Sequence, residues 1–535
     1  MFILVGLVGF IVVVYAIFQW KIQYWNRRGV PGPSDAAFPL GNDFLFTKPV
    51  ILRQRNMGYV IEDQYSQFKH LSYYGVYGPF GAPTLVINDP NLLKLILVKD
   101  SRHFLDRFGD LNPYGGDSDV FTDKIWQKQL LFLQGDLWKD VRSTFSPIFS
   151  SSKIKFMMHF MKAIGIRLKG EIQKAVDSQQ PIDTKDVFSK FSMDTIATCA
   201  FGVDAGSFEE DNSEFLQHAR KIFINSALDN LKMVASFTPG LNFLLKSLRM
   251  KFFKPKETLF MYNVITATIK HRIESQTRKN DLIDLMIDAI NETNPENIED
   301  IHSQEQYEID SNLEHKAQKD KLDELIIVST ALIIMAAGYD TTSMTLTYCA
   351  YELAQHPEVQ EKVLQEIDEV MVNLEDGQDF PDYNILQGMR YLDAVIHETL
   401  RFHTPVPVAR RICLQDYTPP GYDLTIEKGT YISVPIYAIH RDAQYYPDPE
   451  EFNPDNFTAE GKKSRSPYSF LAFGQGPRSC IGMRFALMEA KVGLFSVLMR
   501  YRFSACPQTP KAIIRAPDSV LGIPAETLWL AVQER

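Results

Sequence analysis

Cysteine is scarce and scattered in this chain. The five residues Cys199, Cys349, Cys413, Cys480 and Cys506 are odd in number and far apart, and no C-x-x-C pair occurs. That excludes a disulfide framework and a structural zinc site as organising features, and it fits a reducing compartment. Excess positive charge is also missing. The formal net charge of -10 argues against a nucleic-acid partner held through its phosphates. No Pro/Gly/Ser-rich linker divides the chain after residue 40. The soft length prior of several domains therefore yields to one large unit. What remains is an ordinary globular composition, 45% hydrophobic and 23% charged, which can bury a large core.

Charged side chains are absent from Met1 to Phe18, which is almost wholly apolar. The stretch is long enough to span a bilayer, with Gln19 and Trp20 at the interface. Lys21, Arg27 and Arg28 follow, and the positive-inside rule puts the downstream side in the cytosol. A cleaved signal peptide is the rival reading. No basic region precedes the run and no clear A-x-A site ends it, so an uncleaved anchor over 1–20 is expected. Val30-Pro31-Gly32-Pro33 stiffens and then turns the chain. It closes a basic, proline-rich hinge over 21–36.

Glycine is concentrated where a cysteine needs it. Phe473-Gly474-Gln475-Gly476-Pro477-Arg478-Ser479-Cys480-Ile481-Gly482 presents one thiol in a glycine-punctuated loop, and a helical pattern from Met483 to Leu498 follows at once. A free cysteine titrates above neutral pH. The positive end of that helix, the backbone N–H groups of the turn, or a bound metal can each favour the thiolate. The spacing Phe-x-x-Gly-x-Arg-x-Cys-x-Gly resembles the heme loop of the cytochrome P-450 family. At roughly 5% usage per residue type, five fixed positions recur by chance about once in three million windows. By this resemblance Cys480 is the axial ligand of heme iron. Phe473 packs beside the sulfur, Arg478 pairs with a heme propionate, and Gly476 and Gly482 permit the turn and the close helix.

Other segments fit the same resemblance in the same order. Trp138 and Arg142 lie four apart on one helical face, where an indole N–H and a guanidinium can bind a carboxylate. The family uses W-x-x-x-R to hold a propionate. Leu322 to Leu353 reads as the strongest helix, yet it carries Ala337-Gly338-Tyr339-Asp340-Thr341-Thr342-Ser343 in its middle. Glycine, acid and hydroxyls are costly there. A threonine bonded back to an i−4 carbonyl distorts the helix. The run resembles the family's A-G-x-D/E-T-T, which implies Thr341 at the oxygen site and Asp340 in the proton relay. Glu398 and Arg401 are i,i+3 neighbours that can pair, and they match the family's core-locking E-x-x-R. Arg411 matches a further propionate-binding arginine, with Arg410 as its substitute, and Val406, Val408 and Ala409 line the pocket. His440 to Phe457 departs from the pattern at Ala443 and at Asn456, where many members carry arginine; the Asn456 amide can still donate to the pair.

Less regular stretches give looser expectations. Arg102 to Lys128 reads as an irregular loop over the pocket, with Phe104, Phe108 and Phe121 as apolar liners. Phe215 to Phe253 mixes Phe223, Phe237, Leu241, Phe243, Leu244 and Phe252 with Lys246, Arg249, Lys251, Lys254 and Lys256, which suits a lid on anionic lipid. Asn291 to Asp320 is polar and acidic, a solvated loop. Arg484 and Lys491, with Lys124, Lys128 and Lys139, could form a basic patch for an acidic electron donor.

The resemblance implies a mainly α fold with small β-sheets behind an N-terminal transmembrane helix, and a single heme-binding catalytic domain over 37–535. It implies a heme b monooxygenase of the animal microsomal type in the endoplasmic reticulum membrane, facing the cytosol. One atom of O2 would enter a lipophilic xenobiotic, lipid or steroid-like substrate. NADPH electrons would arrive through a flavoprotein reductase, with cytochrome b5 as a second donor. Two alternatives stay open: an isomerase or dehydratase acting on lipid peroxides, and a non-enzymatic heme carrier or sensor.

Overall fold

The computed structural model describes residues 2–108, 120–209, 213–222, 228–229, 232, 253–291, 323–375 and 377–535. Helices dominate: α1 (Phe2–Lys21), α2 (Met57–Phe68), α3 (Gly135–Phe145), α4 (Ser151–Ser178), α5 (Thr184–Phe201), α6 (Glu214–Ile222), α7 (Pro255–Ser275), α8 (Glu324–Gln355), α9 (Pro357–Val372), α10 (Arg390–Phe402) and α11 (Met483–Leu498), joined by shorter helical turns. The strands are β1 (Tyr73–Tyr77), β2 (Pro83–Ile87), β3 (Ile182–Asp183), β4 (Ala409–Ile412), β5 (Tyr431–Val434), β6 (Tyr501–Ala505) and β7 (Trp529–Glu534). The fold is mainly helical with small sheets, as expected.

The 32 residues of α8 organise the larger core. Asp323 caps its start by accepting from the Leu325 N–H at 3.1 Å. Its most apolar stretch has a mean hydropathy of 1.6, enough by length and composition to cross a membrane, yet 67% of that stretch is buried in protein. Among the described residues no other helix passes that test. A helix apolar on all sides belongs in a core, and α5, α7, α10 and α11 pack against this one. Gly338 lets α5 close in, since a Cβ there would sit 3.1 Å from the Ile196 Cδ1.

Two sheets flank the helices. The four-stranded sheet has the order β1-β2-β5-β4. Its β2 and β5 run parallel, with Leu85 opposite Ile432, so residues far apart in the chain close one sheet. The second sheet, β3-β7-β6, is antiparallel. Along α1, Ile11, Val12, Val13, Tyr15 and Ile17 are exposed, while Phe18 is buried against Phe38 with ring centroids 5.4 Å apart. The proline-rich segment after α1 lies on β1. Pro31 O accepts from the Gly75 N–H at 2.8 Å, and Trp25 Nε1 donates to Val76 O at 3.0 Å. A Cβ at Gly32 would meet the Gly75 carbonyl oxygen at 2.0 Å, so glycine is what lets the two backbones touch.

Three expectations are revised or fall outside the described residues. Arg102–Lys128 is not irregular throughout, because Phe121–Gln127 is a helix that buries Thr122, Ile125 and Trp126. Residues 109–119 within that stretch are not described. In the lid segment, Phe223, Phe237, Leu241, Phe243, Leu244, Phe252, Lys246, Arg249 and Lys251 lie outside the described residues, and Phe253 stacks on Trp126 at 4.8 Å. The acidic stretch from 292 to 320 also lies outside them.

Glu398 and Arg401 are both fully buried on α10. Arg401 donates to both carboxylate oxygens, from Nε at 2.8 Å and Nη2 at 2.7 Å. Its other N–H groups reach His440 O at 2.9 Å, Pro449 O at 2.9 Å and Glu451 O at 3.0 Å. Asn456 Nδ2 adds a bond to Glu398 Oε1 at 3.2 Å, so the amide does donate where many relatives of this pattern place a guanidinium. Removing one partner leaves the other charge buried and unpaired. Arg401→Leu is therefore expected to cost about 3–5 kcal/mol, read as a lowered urea midpoint; an unchanged midpoint would contradict this account.

Candidate functional site

The cysteine loop is built from short backbone bonds. Gly474 N donates to Leu471 O at 2.8 Å, Ser479 N to Gly476 O at 2.9 Å, and Cys480 N to Phe473 O at 2.8 Å. Gly474 and Gly476 have φ of 70° and 72°, in the left-handed region that favours glycine. A Cβ at Gly476 would lie 1.8 Å from Leu97 O, so this turn is seated directly on another backbone. Gly482 opens α11, and its N–H points at the Cys480 sulfur.

Cys480 lies deep among protein atoms yet remains reachable from solvent. Burial pushes its thiol up. The Gly482 N–H and the Arg142 and Arg107 guanidiniums pull the other way without overcoming it. The protein alone therefore favours the thiol, and a thiolate here needs a further cation of the strength a metal supplies.

Cations crowd the loop. Arg478 is buried, with Nε to Leu105 O at 2.8 Å, Nη2 to Leu133 O at 2.7 Å and Nη2 to Asp106 Oδ1 at 3.3 Å. Its guanidinium lies 3.9 Å from the centre of the Trp138 ring. Arg142 Nη1 donates to Ser479 O at 2.9 Å, and Arg107 Nη2 to Arg478 O at 3.0 Å. Arg411, on β4, is buried and donates to Arg410 O at 2.7 Å. Burial, then mutual repulsion, drives these groups down: Arg107 to about 10, Arg478 to about 9, and Arg411 well below the usual guanidinium range. Burial also lowers Arg142. Asp106 is the one carboxylate paired with this group among the described residues. The Arg107 Nε is buried with no partner at all. Such a cluster calls for anions, and the carboxylates of a heme fit it in sign.

The residues expected on α8 take different neighbours. Thr341 Oγ1 donates to Ala337 O at 2.7 Å, the i−4 bond expected. Asp340 Oδ1 instead accepts from Lys185 Nζ of α5 at 2.8 Å, and the same ammonium reaches Ser343 Oγ at 3.2 Å. Asp340 holds the Lys185 ammonium above its ordinary value although burial opposes it.

Several expected contacts are corrected. Lys491 is not part of a surface patch; it is buried and donates to Asp393 Oδ1 at 3.0 Å and Gln387 O at 3.2 Å. Lys139 is tied to Asp136 at 2.8 Å. Arg484 is exposed and borders a groove of about 970 Å³ with Arg390, Tyr391 and Lys462. Arg410 is no substitute for Arg411, because it pairs with Asp43. Phe104 is buried against Tyr417, Phe108 packs on Phe132, and Phe121 is exposed. Val406 is exposed, while Val408 and Ala409 are half-buried. Arg107 and Lys185 were missed in the sequence. A lone arginine in a loop and a lysine in the first turn of a helix carry no local signal.

The family model described as cytochrome P450 matches residues 56–530. Cytochrome P450 6k1 of Blattella germanica is 33% identical over 95% of this chain and 92% of its own length. Cytochrome P450 6a2 of Drosophila melanogaster is 32% identical over 94% of each chain. Cytochrome P450 3A14 of Cavia porcellus is 31% identical over 98% of this chain and 95% of its own.

Arg107→Leu separates the two effects of a crowded cation. A hydrogen bond to a charged group contributes about 1.5–3 kcal/mol. Heme loss from the variant is expected to be about ten- to a hundredfold faster, followed by transfer to apomyoglobin, while the heme-free variant unfolds no more easily than heme-free wild type. Unchanged heme retention would contradict a role for Arg107 at the propionates.

Proposed function

The chain belongs to the cytochrome P450 family of heme-iron monooxygenases, and on that premise we propose that it oxidises lipophilic small molecules at the endoplasmic reticulum membrane with NADPH electrons. The observation that carries the proposal is the Cys480 loop, where a solvent-reachable thiol meets the Gly482 N–H among four arginines of which, among the described residues, Arg478 alone has a carboxylate partner.

When bound, the heme b supplies the redox chemistry that splits O2 and places one oxygen atom in a C–H bond or on a heteroatom. Cys480 would hold the iron through its sulfur. The Gly482 N–H and nearby cations moderate the charge on that sulfur. Arg142, Arg411, Arg478 and Arg107 would hold the propionates, with Trp138 stacked under Arg478. Phe473, Gly476 and Gly482 shape the loop around the sulfur. Thr341 holds a proton at Oγ1, donated in the present structure to Ala337 O. Asp340, held by Lys185, is the carboxyl of the proton relay beside Thr341.

Residues 1–20 form the anchor, 21–36 the hinge against β1, and 37–535 the catalytic domain. A 20-residue helix is about 30 Å long, the thickness of a bilayer core. Its exposed apolar side chains support that placement. Lys21, Arg27 and Arg28 put the catalytic domain on the cytosolic side. A flavoprotein reductase, and cytochrome b5, approach the cysteine face by charge, with Arg484, Lys124 and Lys128 as contacts.

The test is turnover under labelled O2 with NADPH and reductase on a panel of lipophilic compounds. One labelled oxygen per product is expected. Thr341→Ala is expected to slow product formation by about a hundredfold and to divert electrons to hydrogen peroxide. Turnover of lipid hydroperoxides with no use of NADPH and O2 would contradict the proposal.

A further inference from the structure

Thr342 departs from the behaviour of its neighbours on α8. Thr341 bonds back to Ala337 O at 2.7 Å, Thr345 to Thr341 O at 2.8 Å and Thr347 to Ser343 O at 2.7 Å. Ser343 reaches Asp340 O at 3.1 Å. The Thr342 hydroxyl is buried and makes no such bond. A backbone carbonyl one turn back is the ready partner of a helical threonine. A hydroxyl that forgoes it has turned towards something else.

What it faces is Glu489 of α11, which also lies beside Ser192 of α5. Glu489 is 0% exposed. Both hydroxyls lie beside the carboxyl, and the two hydroxyl and two carboxyl oxygens are all buried with no other hydrogen-bond partner. The titratable neighbour on α5 is the buried Cys199, whose thiol is itself pushed far up. No cation pairs with Glu489 among the described residues. A carboxylate in this setting is far costlier than the neutral acid, and burial raises Glu489 well above the usual carboxylate range. A neutral acid also matches its partners better. It can donate to one hydroxyl and accept from the other, whereas a carboxylate can only accept.

We propose that Glu489 is a neutral carboxylic acid bridging Thr342 and Ser192, and that it acts as a positioning residue tying the Thr341 turn of α8 to the helix that begins beside Cys480. The bridge joins three helices. It fixes the residue next to Thr341 against α11, whose first turn carries the cysteine loop. This rests on the reading of Thr341 as the oxygen-side residue.

Infrared difference spectra of the heme-loaded protein against Glu489→Gln test the protonation state. A carboxylic-acid carbonyl band is expected in wild type, unmoved between about pH 6 and pH 9 and lost in the variant. Its absence in wild type overturns the proposal. Product formed per NADPH tests positioning. Glu489→Gln keeps a donor and an acceptor and should rescue coupling to near wild type. Glu489→Leu should lower it about fivefold, the worth of one net hydrogen bond. Equal coupling in the leucine and wild-type proteins overturns the positioning role. Should Glu489→Leu fail to fold, Thr342→Val gives the same comparison. Thr341→Ala separates the two readings. If it uncouples turnover and Glu489→Leu does not, the Glu489 role fails; if Thr341→Ala leaves coupling unchanged, the oxygen-site reading fails instead.

Discussion

The bidentate pair between Glu398 and Arg401 is the constraint from which the cysteine side of the molecule hangs. Arg401 has five N–H groups, and each has an acceptor: two on Glu398 and one each on the backbones of His440, Pro449 and Glu451. A buried ion pair is seldom a net gain over apolar packing, but it fixes geometry when all its donors are used. Here it holds the chain around His440 in place. His440 Nε2 then accepts from the Leu471 N–H at 2.8 Å, and its ring stacks on Phe470. The Leu471 carbonyl accepts from Gly474, which opens the cysteine loop. Burial keeps the His440 ring neutral, pushed down to about 3, so the acceptor role of that nitrogen persists at any physiological pH. A short chain of bonds thus runs from a helix pair to the position of one sulfur.

At the other end of that chain the electrostatics are deliberately unbalanced. Arg107, Arg142, Arg411 and Arg478 are all driven below their ordinary values, with burial as the first cause. A cation whose folded pKa is depressed in this way weakens the fold in full below that value, and the cost fades as pH rises from it towards the ordinary value. The protein therefore carries a cost at neutral pH that anionic carboxylates remove. A thiolate at Cys480 carries the complementary cost, relieved by a metal cation. A heme offers both corrections in one ligand. The stability of the loaded protein and the affinity for its cofactor are on this account two aspects of one charge arrangement.

Much of this was legible in the sequence because it is local. The helix after Cys480 starts and ends where its pattern predicted, at Met483 and Leu498. The i,i+3 spacing of Glu398 and Arg401, the back-bond of Thr341 and the amide of Asn456 all follow from short-range rules. What escaped depends on partners distant in the chain. Lys491 reads as a solvated lysine until α10 brings Asp393 against it. Arg107 gains meaning only when the cysteine loop, some 370 residues on, folds over it. Lys185 and Asp340 meet because α5 crosses α8. The segment after α1 reads as a free hinge by composition, and its contact with β1 is set by a strand that composition does not reveal.

The central claim is that Cys480 binds heme iron as a thiolate. The most direct test is the carbon monoxide difference spectrum of the reduced, membrane-expressed protein beside Cys480→Ala. The account predicts the far-red-shifted band of a thiolate-ligated heme in the first and its loss in the second. A band of the histidine-ligated kind, or no heme in well-folded protein, would contradict it.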